Sequence, residues 1–282
     1  MLVQGYKEMK KYLPAVNMKG APAVFDDALE IAQDALVSDI MGTDIEQQLE
    51  KREDADRKLL TLCQRIIAID AFISCIPELD LILTDSGFGV VSNQDIAPAS
   101  KERIKNLTDS LKVKLDDGKD RLVTFLLASE QYEGWRGSEE FAKLSDGLIF
   151  TYSEFKDIAV NNNATAAGYP KSWTEFLRMN PALNVALTSD VAAYISPEYA
   201  DELLEKVRDK EAMVPNEKKV LKMVKTAAAA IAMGDRETGV NQAIKATLFM
   251  KQFPADFPTY IGSRAAESLE NKHSDTPIFS MF

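Results

Sequence analysis

Apolar positions recur three and four residues apart through most of this sequence, the spacing of one face of an α-helix. A short helix is expected around Tyr6–Leu13, with Pro14 and Gly20 punctuating the loop after it. Val24–Ile40 reads as an amphipathic helix with Ala28, Ile31, Ala35 and Leu36 on one face. Met41-Gly42-Thr43 is a break, and Thr43 with Glu46 three residues on fits a capping box for the next helix. Ile45–Ile76 is expected to be helical, bent near Glu53–Asp56. Its stripe of Leu59, Leu62, Cys63, Ile66, Ile69, Ile73 and Ile76, widened by Leu60, Ile67 and Phe72, marks it as central; Arg57, Lys58, Arg65 and Asp70 lie on its wetter side.

The period changes between Pro77 and Leu107. Leu79, Leu81 and Leu83 alternate with Asp80, Ile82 and Thr84, and Asp85-Ser86-Gly87 reads as a turn. Phe88, Val90 and Val91 favour a returning strand, so a β-hairpin is expected over residues 79–92. Asn93 to Pro98 is irregular, and Ser100 can cap a new helix. The run LTDSGFGVVSNQDIAPASKERIKNL, Leu83 to Leu107, resembles a motif of a poorly characterised family encoded by phages and prophages of Bacteroidetes. The resemblance extends through the helical N-terminal half and more weakly to the end of the chain. It implies a virion structural protein of the head–tail connector, or neck. It names a family and not a chemistry.

Farther on, Lys101–Leu115 is expected to be helical, interrupted at Asp116-Asp117-Gly118 and resumed by Leu122–Leu127 to an end near Ser129. Residues 130–170 are the least regular, with Trp135, Phe141, Leu144, Phe150, Tyr152 and Phe155 spread among glycines and polar residues. Asn161–Pro170 is a loop and the best place for a boundary. Ser172-Trp173-Thr174-Glu175 is a capping box opening a short helix to Met179, followed by a helix over Pro181–Ile195. Ser196-Pro197 fits a cap and first helical position for Glu198–Ala212. Pro215 opens a helix that ends at Gly234, Asp235–Phe253 is another, and Ser263–Asn271 is a short last one. The end, Thr276–Phe282, is apolar, and Pro277 favours an extended course.

The fold class is therefore mainly α: a helical bundle of long amphipathic helices with one small β-hairpin. Three regions are expected: a helical domain 1–129 with hairpin 79–92, an aromatic-rich connector 130–170, and a second helical region 171–282 with an extended apolar tail. Ile40, Leu49, Glu50 and Lys51 match Ile195, Leu204, Glu205 and Lys206 at an offset of 155. Leu60, Ala68 and Ala71 match Leu221, Ala229 and Ala232 at an offset of 161. Internal duplication of a helical unit is one reading of these matches, and two unrelated helical hairpins are the other.

With 282 residues, 46% of them hydrophobic, the chain can bury a sizeable core. The 33 Lys and Arg against 44 Asp and Glu leave a net charge of −11, which opposes a broad phosphate-gripping face and repels DNA on average. Cys63 and Cys75 fall on one helix, about 18 Å apart along its axis, too far to bridge. They read as buried reduced thiols, consistent with synthesis in the host cytoplasm. No signal segment opens the chain, and the longest unbroken apolar run, Ala227–Met233, is far short of a membrane span.

Catalytic, cofactor-binding and metal-binding residues are not found in the sequence. His273 is the single histidine and has no second histidine as partner. Gly87-Phe88-Gly89 lacks the rest of a nucleotide-binding loop. Asp116, Asp117 and Asp120 lack calcium-loop spacing. The carboxylates Asp26, Asp27, Glu30 and Asp34, and farther on Glu50, Glu53 and Asp54, read as solvated helix faces. Tyr132, Trp135 and Arg136 could stack on nucleic acid, but without a basic patch the core or interface reading prevails.

The expectation is a non-enzymatic structural protein, placed by the resemblance in the virion neck as a homo-oligomeric ring of about twelve copies below the portal. Its partners would be itself, the portal and other neck or tail proteins, with DNA passing through the channel without specific binding and no membrane involved. Phe88, Val90 and Val91 of the hairpin, with Ile278, Phe279, Met281 and Phe282 of the tail, are the expected contacts. The alternatives are a soluble intracellular helical adaptor or regulator and an enzyme with an unrecognised carboxylate site.

Overall fold

A computed structural model describes residues 1–13, 24–51, 56–79, 82–84, 87–89, 100–145, 147–161 and 169–267. The chain forms two compact units, Met1–Phe141 and Ala142–Phe282. The fold is mainly α.

In unit 1, α1 (Gly5–Met9) tightens into a 3₁₀ turn over Lys10–Tyr12. Helix α2 (Val24–Leu36) widens into a π segment at Val37–Met41, and α3 (Thr43–Glu50) follows. Helix α4 (Arg57–Leu79) is the centre of the unit, packed by both α2 and α5 (Lys101–Ala128). Leu59, Cys63, Ile66, Ile67, Ala68, Ile69, Ala71, Phe72 and Cys75 of α4 are all buried. By length and composition α4 is apolar enough to cross a membrane. Its packing accounts for that apolarity, because a helix covered on several sides needs more than one apolar stripe. Between α4 and α5, β1 (Ile82–Thr84) pairs antiparallel with β2 (Gly87–Gly89), Leu83 opposite Phe88.

Several expectations for this unit need correction. Helix α4 continues through Pro77 to Leu79, so Leu79 is helical and the paired strands are shorter than residues 79–92. The expected single helix Ile45–Ile76 is two, α3 and α4. The residue before α3 that adopts the cap conformation is Gly42, not Thr43, and Glu46 instead accepts a 2.6 Å hydrogen bond from Gln33 Nε2. Helix α5 runs unbroken past Asp116-Asp117-Gly118 because Gly118 is where it meets α4: a Cβ there would lie 3.0 Å from Ile66 Cγ1. Ser100 does cap α5, accepting from the Arg103 N–H at 3.3 Å. Trp135, Phe141, Phe150 and Phe155 of the expected connector are buried. A 3₁₀ run at Glu130–Gly137 leads into α6 (Glu139–Leu144), within which the division between units falls.

Unit 2 opens with α7 (Tyr152–Asn161), then α8 (Trp173–Val185), a π segment at Ala186–Val191 and α9 (Ala192–Ile195). Pro181 lies inside α8 and starts nothing new; buried Phe176, Asn180 and Leu183 on both sides of it hold the helix to the core. Ser196 and Pro197 open α10 (Pro197–Arg208), with Ser196 Oγ accepting from the Tyr199 N–H. Then come α11 (Pro215–Ala232), α12 (Arg236–Gln252), capped by Asp235, and α13 (Pro258–Ile261). Helices α11 and α12 form the tightest pair, packed through Ala227–Ala230 and Gly239. A Cβ on Gly239 would sit 2.3 Å from Ile231 Cγ1 and 2.9 Å from the Ala227 carbonyl.

Unit 2 repeats the construction of unit 1. Leu2, Val3, Tyr6, Glu8 and Met9 correspond to Leu148, Ile149, Tyr152, Glu154 and Phe155 at an offset of 146. Ala35-Leu36-Val37-Ser38-Asp39-Ile40 corresponds to Ala186-Leu187-Thr188-Ser189-Asp190-Val191 at 151, and both stretches carry the π widening. Gly42 (φ +77°, ψ 159°) and Ser196 (φ +74°, ψ 146°) hold the same rare conformation before the next helix. The buried positions Leu59, Cys63, Gln64, Ile66, Ile67, Ala68 and Ile69 of α4 become Val220, Val224, Lys225, Ala227, Ala228, Ala229 and Ala230 of α11 at an offset of 161. Lys58 lies over the Phe125 ring as Lys219 lies over Phe249, at 5.5 and 5.6 Å. The expected offset of 155 is thus replaced near the cap by 151 and then 154, with three extra residues before Ser196.

Candidate interaction surfaces

The residues expected to make contacts fall mostly where no structure is described. Phe88 is in β2, but its side chain lies outside the described residues, as do Val90, Val91, Ile278, Phe279, Met281 and Phe282. His273 lies outside them too.

Of the core and interface readings of the aromatic cluster, the core one applies to Tyr132 and Trp135. Trp135 and Tyr132 are buried; the indole N–H of Trp135 donates to the Ile40 carbonyl at 2.6 Å, and its ring meets Phe141 at 5.1 Å. Arg136 donates to the Leu127 carbonyl. Both cysteines are buried free thiols, and burial pushes Cys63 up to about 12. Asp70 is half-buried, and its carboxyl is raised by that burial, opposed by Lys119 and reinforced by Asp39. Among the described residues no group of three or more His, Cys, Asp or Glu is placed to hold a metal.

A cleft of about 560 Å³ runs along α11 in unit 2. Helix periodicity puts Lys218, Leu221, Lys222 and Lys225 on one stripe of α11, at i, i+3, i+4 and i+7. Ile158, Leu221 and Met223 supply the apolar part of the wall, and Glu154 and Asp157 of α7 supply its acids. Lys225 is buried and paired with Glu154. Lys218 and Lys222 are exposed and form no ion pair among the described residues. The position of Lys225 is that of Gln64 in unit 1, whose amide donates to Glu8 of α1 at 3.2 Å. The same contact between central and first helix is therefore made to a carboxylate by a neutral amide in one unit and by a cation in the other.

In unit 1 a smaller hollow of about 230 Å³ surrounds the start of α3. Glu140 closes on it: a Cβ on Gly42 would lie 3.1 Å from Glu140 Oε2. A carboxylate beside the positive end of α3 is favourable there and opposes a further anion.

The expected apolar face of α2 holds at Ala28 and Leu36, which are buried, and fails at Ile31. The core side of the helix is Phe25, Ala28, Leu29, Ala32 and Leu36, and Ile31 is 70% exposed. Ile31 shares its stripe with Asp27, Glu30 and Asp34, all exposed. Phe25 and Leu29 set the buried side, and Ile31 lies nearly opposite them on the helical wheel.

Charge is sorted between the units. Unit 1 has 17 Lys and Arg against 26 Asp and Glu, net −9; unit 2 has 16 against 18, net −2.

Residues 21–144 match a family of unknown function (DUF6712). The match covers most of unit 1 and ends just past its boundary. No curated protein and no solved structure matches the chain.

Proposed function

We propose that this chain is a structural protein of a tailed-phage virion that assembles into a ring in the neck, below the portal and around the DNA path. The observation that carries the reading is the sorting of charge between two units of one design. A closed ring joins two different faces of each subunit, and a duplicated unit whose copies have diverged in charge supplies unlike faces from a single sequence. The setting in the virion comes from the resemblance of Leu83–Leu107 to the phage family. The strongly acidic unit 1 also suits a channel that must hold DNA loosely, since excess negative charge repels phosphate.

The purified chain, alone and mixed with portal protein, tests this by light scattering and negative-stain imaging. Closed rings of about twelve copies are expected. A species that stays monomeric at high concentration and ignores the portal overturns the ring and favours an adaptor that works as a single chain.

A further inference from the structure

We infer that the lysine-rimmed cleft of unit 2 receives the acidic outer face of α2 from unit 1 of a second copy of this chain. The inference rests on the ring reading above and names its interface. The two stripes have the same grammar. Helix α11 presents Lys218, Leu221, Lys222 and Lys225; α2 presents Asp27, Glu30, Ile31 and Asp34. Each follows i, i+3, i+4 and i+7, each is about 10 Å long, and each sets one aliphatic residue among charges of one sign.

Lys225 is held by Glu154, so Lys218 and Lys222 are the cations that meet the incoming carboxylates. Asp157 stands at the same cleft as the one opposing exposed charge. Ile31, exposed amid three carboxylates, finds the apolar wall of Ile158, Leu221 and Met223. A lone exposed isoleucine is ordinary; its position in register with the charges is what gives it a partner.

The repeat explains why the pairing is between unlike faces. At the offset of 151, the α2 stripe is replaced in unit 2 by Arg178, Pro181, Ala182 and Val185. At 161, the α11 lysines Lys218, Lys222 and Lys225 are replaced in unit 1 by Arg57, Thr61 and Gln64. Neither unit carries both stripes, so two copies meeting through them form a heterologous contact that propagates until it closes.

The test is charge reversal in the full chain, read by light scattering at low and high salt. Lys218→Glu with Lys222→Glu, and separately Glu30→Lys with Asp34→Lys, should each weaken self-association by about tenfold or more. All four sites are exposed, so circular dichroism and melting temperature should be unchanged. Combining both pairs in one chain should restore assembly, which general loss of solubility or fold would not do. If the wild type assembles and the reversed proteins assemble equally well, the interface lies elsewhere and the ring reading stands. If the reversals weaken association and the combined chain does not recover, the two stripes are not partners and the inference falls. If the wild type never self-associates, alone or with portal, the inference and the ring reading fall together.

Discussion

Ser196 occupies a conformation that its counterpart Gly42 enters freely. Both have φ above +70° with extended ψ, a region where a Cβ is strained. The serine is kept in place by its Oγ, which accepts the Tyr199 N–H at 3.2 Å. Ser196→Gly relieves the strain and loses one cap, and glycine replaces a serine cap at a cost of only a few tenths of a kcal/mol. The expected result is a stability gain of about 0.5–1 kcal/mol in urea unfolding. Gly42→Ala goes the other way, by about 1–3 kcal/mol, since its Cβ also meets Glu140. Equal and small effects at the two sites would refute this account. Nearby, Lys206 Nζ bonds both Glu202 and Glu217 at 2.6 Å. Burial pushes Glu202 up, but hydrogen bonds from Lys206 and Thr259 and the Lys206 charge outweigh it and hold the carboxyl below its usual range. A depressed carboxyl lends stability that is full above its unfolded pKa and lost as pH falls through the folded one. Stability should therefore drop as pH falls below the usual carboxylate range, and Glu202→Gln should flatten that drop while lowering stability at neutral pH. Denaturant unfolding at several pH values measures both.

At the scale of elements, the contact between the first and central helices is made twice with different chemistry. Replacing Lys225 by Gln installs the neutral donor that unit 1 uses at Gln64. Replacing it by Ala leaves Glu154 without its cation beside a cavity. The expected losses are about 1 kcal/mol for Lys225→Gln and about 2–3 kcal/mol for Lys225→Ala, discounted because Glu154 is partly exposed. A Gln variant no better than Ala would mean that the contact is ionic in nature and not shared between units. Most helices were legible from apolar spacing, and the caps Ser100, Ser172 and Ser196 from residue type. Pro181 and Gly118 misled because burial overrides local preference: packing holds a helix through a proline, and a glycine serves a close approach rather than a break. The place of Ile31 is ambiguous in the sequence because Ala28, Ala35 and Leu36 fit two overlapping stripes; Phe25 and Leu29 decide between them. The π widening left no composition signal; it is shared by both units, and the offset changes after it, where Ala192–Ile195 adds three residues before Ser196. The lysine stripe of α11 was visible in the sequence, but that it borders a cleft depends on α7, which reads as connector.

For the whole molecule, the apolar tail Thr276–Phe282 adds a separate expectation, drawn from sequence alone. Burying one Phe or Ile side chain is worth about 1.5–3 kcal/mol, so Ile278, Phe279, Met281 and Phe282 can outweigh the ordering of so short a segment. If the tail docks on a neighbouring copy or partner, deleting Pro277–Phe282 should leave the melting temperature nearly unchanged and abolish the proposed ring assembly; a tail in its own core is the equal alternative. Normal assembly of the truncated chain would remove the tail from any connecting role; a large fall in melting temperature would place it in its own core.

Two units of one design in one polypeptide carry a hazard during folding, because similar helices can trade places. The central helices differ in a way that guards against this. Where α4 has Ile66, Ile67 and Ile69, α11 has Ala227, Ala228 and Ala230. An α4 seated against α12 would press bulky isoleucines into a seam fitted to Gly239 and alanines, and an α11 seated against α5 would leave voids where isoleucines belong. Side-chain volume thus acts as an address that favours each central helix in its own half.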